Sequence, residues 1–176
     1  MVSDLSDLSR IESQKLRLDV KEVNLNQLIG STLSDFSMTA SEKNITLTYE
    51  PNPETVLIKA DPSRMHEILA NLIDNAIKYS PSGTSVTVGF VRSGDAAQIE
   101  VKDSGYGIPE EAKPHLFEKF YRINRSASEP KGTGLGLFVT RELIERQGGK
   151  IWFESQVGKG TTFYFTLPLS QKNGNK

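Results

Sequence analysis

Leu5, Leu8, Ile11 and Leu16 recur at three- to five-residue steps near the start of the chain, with Asp, Ser, Glu and Lys between them. That spacing predicts an amphipathic helix with one narrow apolar stripe. Such a stripe belongs either to a bundle whose other helices lie elsewhere or to a helix packed on its own domain. An extended piece is expected over residues 17–23. Asn24 then offers an N-cap for a helix over residues 25–43, with Leu28, Ile29, Leu33 and Phe36 facing inward. Residues 45–49 alternate as a strand does, and residues 56–59 form a second short strand. Asp61 and Pro62 are a helix start, an N-cap acceptor followed by proline at the first helical position. This helix is expected to reach Tyr79 and to end before Pro81, Ser82 and Gly83. Residues 85–92 and 98–103 read as a hairpin turned at Ser93, Gly94 and Asp95. A short helix over 109–117 precedes an aperiodic polar, basic and glycine-punctuated stretch over 118–134. A helix over 135–147 is stopped by Gly148 and Gly149, and strands over 150–155 and 161–167 close the chain.

Helices and strands interleave, yet hairpins are present. The fold class is therefore α+β, a mixed sheet with helices on one face, preceded by a short N-terminal helix. The expected divisions are 1–17 for that helix, 18–169 for the domain and 170–176 for a polar, frayed tail.

Composition narrows the function classes. The chain has 176 residues, 21 basic against 22 acidic, and a net charge of −1. This balance gives no reason to expect a nucleic-acid or membrane surface. There are no cysteines, so disulfides, thiolate metal sites and cysteine nucleophiles are excluded. A cytoplasmic location fits, and a membrane-anchored parent remains compatible with it. No apolar run approaches the ~18 residues that cross a bilayer.

Candidate chemistry lies in three glycine clusters and one helix face. Gly158 and Lys159 lack the upstream glycine of a P-loop, and Gly132, Gly134 and Gly136 are one residue short of a dinucleotide fingerprint. Gly132 to Gly136 still precede a helix, where backbone N–H groups and the helix N-terminus attract an anion. A flexible loop before a helix reads the same way. Asp103, ahead of Gly105 and Gly107, offers a carboxylate to an exocyclic amine; an ordinary Asp-Gly turn is the alternative. Glu67, Asn71, Asn75 and Lys78 fall at steps of four, four and three, on one face of the helix over 62–79. Two asparagines inside a helix are unfavourable by propensity. Ligation of Mg²⁺ by an amide oxygen is one reason to keep them, and a solvated polar face is the other reading.

Together these segments resemble the ATP-binding domain shared by histidine kinases, gyrase, mismatch-repair ATPases and heat-shock chaperone ATPases. His66, Glu67, Asn71, Asn75, Ala76, Lys78, Tyr79 and Ser80 resemble its N box, and Asp103, Gly105, Gly107, Ile108 and Pro109 its G1 box. Leu116, Phe117, Phe120, Tyr121 and Arg122 are similar to the F box of histidine kinases. Gly132, Thr133, Gly134, Leu135, Gly136 and Leu137 are similar to the G2 box, and Gly158, Gly160, Thr161, Thr162 and Phe163 to the closing glycine turn. The resemblance implies a two-layer α/β sandwich of the Bergerat type with ATP between two helices. It implies adenine recognition by Asp103, Mg²⁺ on Asn71, and Asn75 and Lys78 near the phosphates. Tyr79 would lie by the adenine or ribose, with Gly105, Gly107, the G2 residues and Thr162 around the nucleotide. Residues 117–132 would form a mobile lid docked by Phe117 and Phe120, with Lys119, Arg122 and Arg125 as phosphate contacts.

Residues 7–12 resemble the end of the second dimerisation helix of the kinases. The family's phosphoacceptor sits in a His-Glu or His-Asp sequence with a proline five residues on. Only His66 and His115 are present, and position 71 is Asn. Both are read as structural or surface residues, so the acceptor is expected on helices absent from this chain. Glu67 matches the general base of ATP-hydrolysing relatives, and a polar-network role is expected for it here. The implied partners are ATP, those missing helices, a response regulator receiver domain, and a second subunit of the parent. A self-sufficient ATPase and a scaffold with a degenerate site are the rival readings.

Overall fold

The computed structural model describes residues 2–13, 16–123 and 132–170. Five strands form the main sheet in the order β2 (Thr46–Tyr49), β4 (Ser85–Ser93), β5 (Ala96–Asp103), β7 (Gly160–Pro168) and β6 (Lys150–Gln156). β2 runs parallel to β4, and every other pair is antiparallel, so the sheet is mixed. β1 (Lys21–Asn24) and β3 (Leu57–Ala60) make a separate antiparallel pair. The two short extended pieces read from the sequence thus find each other rather than the main sheet.

Helices α2 (Leu25–Asp35), α4 (Pro62–Tyr79) and α5 (Gly136–Arg146) form the second layer. Their apolar faces and the inward residues of the sheet, such as Val86, Val88, Ile99, Val101, Phe163 and Phe165, make one core. This is the expected sandwich. α4 forms where its start signal predicts: Asp61 Oδ1 accepts from the N–H groups of Ser63 and Arg64, and Pro62 follows. Met65, Ile68, Leu69, Leu72, Ile73, Ala76 and Ile77 are buried, which leaves Asn71, Asn75 and Lys78 on the opposite side.

The far end of α4 is held from outside. Lys43 Nζ donates to the carbonyls of Ile77 and Lys78 at 2.7 and 2.6 Å. A cation on terminal carbonyls satisfies acceptors that the helix leaves open and meets the negative end of its dipole. Lys43→Met keeps the aliphatic stem and removes the cap. It is expected to cost about 1–2 kcal/mol, read as a lower midpoint in chemical denaturation.

Three expectations are corrected. The helix over 25–43 is two helices, broken at Phe36 (φ −96°, ψ −1°), with α3 spanning Ser37–Glu42. Ser31, Thr32, Ser34 and Ser37 all donate their hydroxyls to carbonyls of this region, and such back-bonding competes with the regular ladder. The helix over 109–117 is a 3₁₀ turn over Glu110–His115. Phe120 does not dock: it is 61% exposed, with a left-handed backbone at φ 63°. Phe117 does pack, with ring centroids 5.9 Å from Phe153 and 6.4 Å from Phe163.

α1 (Val2–Glu12) lies against α5, with Leu8 and Ile11 buried. Arg146 Nη2 donates to the carbonyl of Ile11, and Lys119 pairs with Glu12 at 2.6 Å. Among the described residues, no helix is long and apolar enough to cross a membrane.

Candidate functional site: a cleft between α4 and the glycine loops

A cleft of about 350 Å³ opens between the polar face of α4 and the N-terminal end of α5. Its inner end is Asp103, the last residue of β5, which is 7% exposed. One carboxylate oxygen, Oδ1, accepts from the backbone N–H groups of Gly105 at 2.8 Å and Thr161 at 3.1 Å. No described residue hydrogen-bonds to the other oxygen. Burial raises the pKa of the Asp103 carboxyl above its ordinary value, and the two N–H donors hold it back only in part. An acceptor fixed on one side and open on the other suits a neutral N–H donor such as a purine amine. Ile108, Leu116 and Phe163 line the same cleft and give a flat ring apolar walls.

Two glycines make this end possible. A Cβ on Gly105 would lie 2.5 Å from the carbonyl oxygen of Tyr79, and Gly107 has φ +71° with its backbone against Gln156. Tyr106 N donates to Tyr79 O, and Gly158 N donates to Tyr106 O. The end of α4, the loop after β5 and the β6–β7 turn are thus sewn together around Asp103.

At the other end stand Asn71, Asn75 and Lys78 of α4, with Gly132, Thr133, Gly134, Gly136 and Leu137 facing them. Gly136 begins α5, whose first N–H groups lack intrahelical partners and favour negative charge. Lys78 forms an ion pair with Asp74. Arg122 also lines the cleft, as does Tyr79 near the carboxylate end.

Several expected residues lie elsewhere. Lys119 pairs with Glu12, sits 5.0 Å from the Phe138 ring centroid and does not line the cleft. Arg125 falls outside the described residues. Leu135 is wholly buried, a core residue at the α5 N-cap position. Gly105 supports Asp103 from behind. Thr162 is not a lining residue; Thr161 is. The alternation of β7 explains it: Thr161, Phe163, Phe165 and Leu167 point to the helices, and Thr162 to the open sheet face. The strand's own phase could have identified Thr161. Glu67 pairs with Arg64 at 2.6 Å and lines a smaller neighbouring cavity.

Neither histidine lines the cleft. His66 Nδ1 is 3.2 Å from Thr32 Oγ1, and its Nε2 faces Asp35 at 3.6 Å. His115 Nδ1 meets Glu118 at 2.9 Å.

Comparison with known proteins agrees with this geometry. The profile of the family described as "Histidine kinase-, DNA gyrase B-, and HSP90-like ATPase" matches residues 60–171. The circadian input-output histidine kinase CikA of Synechococcus elongatus is 38% identical over 171 residues, covering 96% of this chain and 23% of that protein. The sensor histidine kinase WalK of Bacillus subtilis is 32% identical, covering 98% of this chain and 28% of WalK. The chain therefore spans under a third of the length of these two relatives. Among solved structures, full-length ShkA in complex with AMPPNP superimposes with a TM-score of 0.84 at 26% identity, covering 97% of this chain and 35% of that one. The nucleotide-free catalytic domain of histidine kinase ThkA gives 0.76 at 32% identity, covering 86% of this chain and 96% of that domain. The chain belongs to the histidine kinase-, DNA gyrase B- and HSP90-like ATPase family, and corresponds to the ATP-binding catalytic domain of its sensor histidine kinases.

Proposed function

We propose that the chain holds ATP·Mg²⁺ in the cleft and, within an intact homodimeric parent, presents the γ-phosphoryl to a histidine on a dimerisation helix. The observation that carries this reading is the polarity of the cleft. A buried carboxylate with one open oxygen sits at one end, and a helix N-terminus with a glycine loop sits at the other. That is the charge pattern of a nucleotide laid with its base inward and its phosphates toward α5.

In this reading Asp103 accepts the adenine amine, Tyr79 lies beside the base or ribose, and Ile108, Leu116 and Phe163 exclude water from the ring. The G2 glycines, Thr133 and Asn75 would donate hydrogen bonds to phosphate oxygens, Lys78 and Arg122 would offset their charge, and Asn71 would offer an oxygen to Mg²⁺. The donor set fits a metal that arrives on the nucleotide. Among the described residues no group of three or more His, Asp or Glu side chains is placed to hold a metal, and Glu67 and Asp74 are both engaged by cations. The Asn71 amide oxygen would hold Mg²⁺ together with the phosphates it arrives on, since Mg²⁺ takes few protein oxygens. When bound, Mg²⁺ would offset charge on the transferring phosphoryl group, while the chain's contribution is positioning.

The acceptor belongs to the parent's helix bundle, of which α1 would be the terminal segment, and a response regulator would receive the phosphoryl group next. Because ATP is an intracellular substrate, the domain would work in the cytoplasm. A free-standing ATPase is the rival reading.

Calorimetry tests the metal's part. Mg²⁺ alone should give no binding heat, and AMPPNP should bind more tightly with Mg²⁺ than in EDTA. Saturable binding of Mg²⁺ to the nucleotide-free protein, or equal AMPPNP affinity in the two buffers, would contradict the assignment.

A further inference from the structure

Asn71 meets α5 twice. Its Nδ2 donates to Thr140 Oγ1 at 2.6 Å. Its Oδ1 lies 2.6 Å from where a Cβ on Gly136 would stand. Gly136 and Thr140 are four residues apart, so they share one face of α5. Thr140 is 2% exposed, and water does not compete strongly for its hydroxyl.

An amide side chain carries its oxygen and nitrogen on the same carbon, so tethering one fixes the direction of the other. With Nδ2 committed to Thr140, Oδ1 has no hydrogen-bond partner among the described residues, and the amide as a whole lies against Gly136, whose Cβ position is 2.6 Å from Oδ1 and 2.9 Å from Nδ2. Asn71 and Gly136 line both the main cleft and the smaller cavity of about 250 Å³, which Thr140 also lines. Asn71 therefore stands in the partition between the two spaces, with its nitrogen engaged by Thr140.

We propose that Thr140 is the positioning residue for Asn71: it holds the amide so that the oxygen, and not the N–H₂ end, faces the nucleotide's Mg²⁺. This rests on the assignment of Mg²⁺ to Asn71. An untethered amide can turn its positive N–H₂ end toward the cation, which weakens ligation without removing the ligand. A bond that served only to join α4 to α5 would change stability and leave the metal response alone.

The test compares wild type, Thr140→Val, Thr140→Ser and Asn71→Ala. Each variant's AMPPNP affinity is measured in Mg²⁺ and in EDTA, alongside thermal melting. The ratio of the two affinities reports the metal's contribution. Thr140→Val should lower that ratio by about 10-fold or more, the usual cost of losing a ligand's orienting partner, with its EDTA affinity unchanged. Thr140→Ser retains the hydroxyl and should keep the wild-type ratio. Should the valine variant fail to fold, Thr140→Ala replaces it with the same expectation. A wild-type ratio in Thr140→Val, with the ratio abolished in Asn71→Ala, overturns the positioning role and leaves the Mg²⁺ assignment intact. So does a ratio lost in Thr140→Ser. No metal dependence in wild type itself overturns both.

Discussion

Asp103→Asn is expected to weaken ATP binding by about 10- to 100-fold, the worth of a hydrogen bond to a charged group, while leaving the fold at least as stable. Asn at this position still offers an oxygen to the N–H groups of Gly105 and Thr161, so the local frame survives. What changes is the side facing the cleft, where an amide N–H₂ would meet the adenine amine donor to donor. Comparing ATP with inosine triphosphate isolates the effect, because the inosine base carries an oxygen where adenine carries the amine. Wild type should prefer ATP strongly, since a site built around one hydrogen bond rejects the analogue that cannot make it. The variant should lose that preference. Equal preference in both proteins would remove Asp103 from base recognition.

The same residue links function to pH. Burial raises the folded-state pKa of Asp103 above its ordinary value, so the folded protein holds this proton more tightly than the unfolded chain. The stability associated with it is fully present below the unfolded pKa and is lost as pH rises through the raised folded pKa. At neutral pH the ionised carboxylate is therefore a cost that Asn removes. Asp103→Asn should melt at or above the wild-type temperature at pH 7, and the difference should shrink on acidification through the upper carboxylate range. A variant less stable than wild type at neutral pH would contradict this.

Gly107→Ala is expected to disrupt the fold. Its Cβ would stand 2.1 Å from the carbonyl oxygen of Gln156, at a backbone φ of +71°. The neighbouring residues make the contacts that hold the β5 loop to the β6–β7 turn. Tyr106 O accepts from Gly158 N, and Ile108 N donates to Ser155 Oγ at 2.8 Å. Ser155 in turn bonds Thr161, whose N–H steadies Asp103. The clash cannot be relieved by a side-chain movement, because the atoms the Cβ would meet are all backbone atoms of Gln156 and Val157. A loss of about 3 kcal/mol is expected from the left-handed backbone and the displaced contacts, read from urea denaturation, with nucleotide binding lost alongside. A wild-type midpoint would show that the loop sits elsewhere.

These two residues were legible in the chain because their signals are local. Asp103 ends an alternating strand and is followed by paired glycines, and the polar face of α4 is fixed by helical spacing under a clear N-cap. The misreadings come from where local spacing runs out. Residues 25–43 keep an apolar period across Phe36, and neither Gly nor Pro marks the break; serine and threonine hydroxyls bonding to carbonyls accompany it. Lys119 reads as a phosphate contact, and its pairing with Glu12, 107 positions earlier, carries no local signal. Thr161 rather than the expected Thr162 lines the cleft, and in a strand one residue is the whole difference between the two faces. Thr140 carried no motif at all: its place is set by the packing of α4 on α5.

The central claim is that ATP occupies this cleft with its base on Asp103 and its phosphates against α5. Two-dimensional ¹H–¹⁵N NMR during titration with AMPPNP and Mg²⁺ tests it residue by residue. The predicted result is saturable shifts at the backbone N–H groups of Gly105 and Thr161, at those of Gly132, Gly134 and Gly136, and at the side-chain amide of Asn71, all with one dissociation constant. Shifts confined to another surface, such as the outer face bearing the stacked Trp152 and Tyr164 rings, or none at millimolar nucleotide, would contradict it.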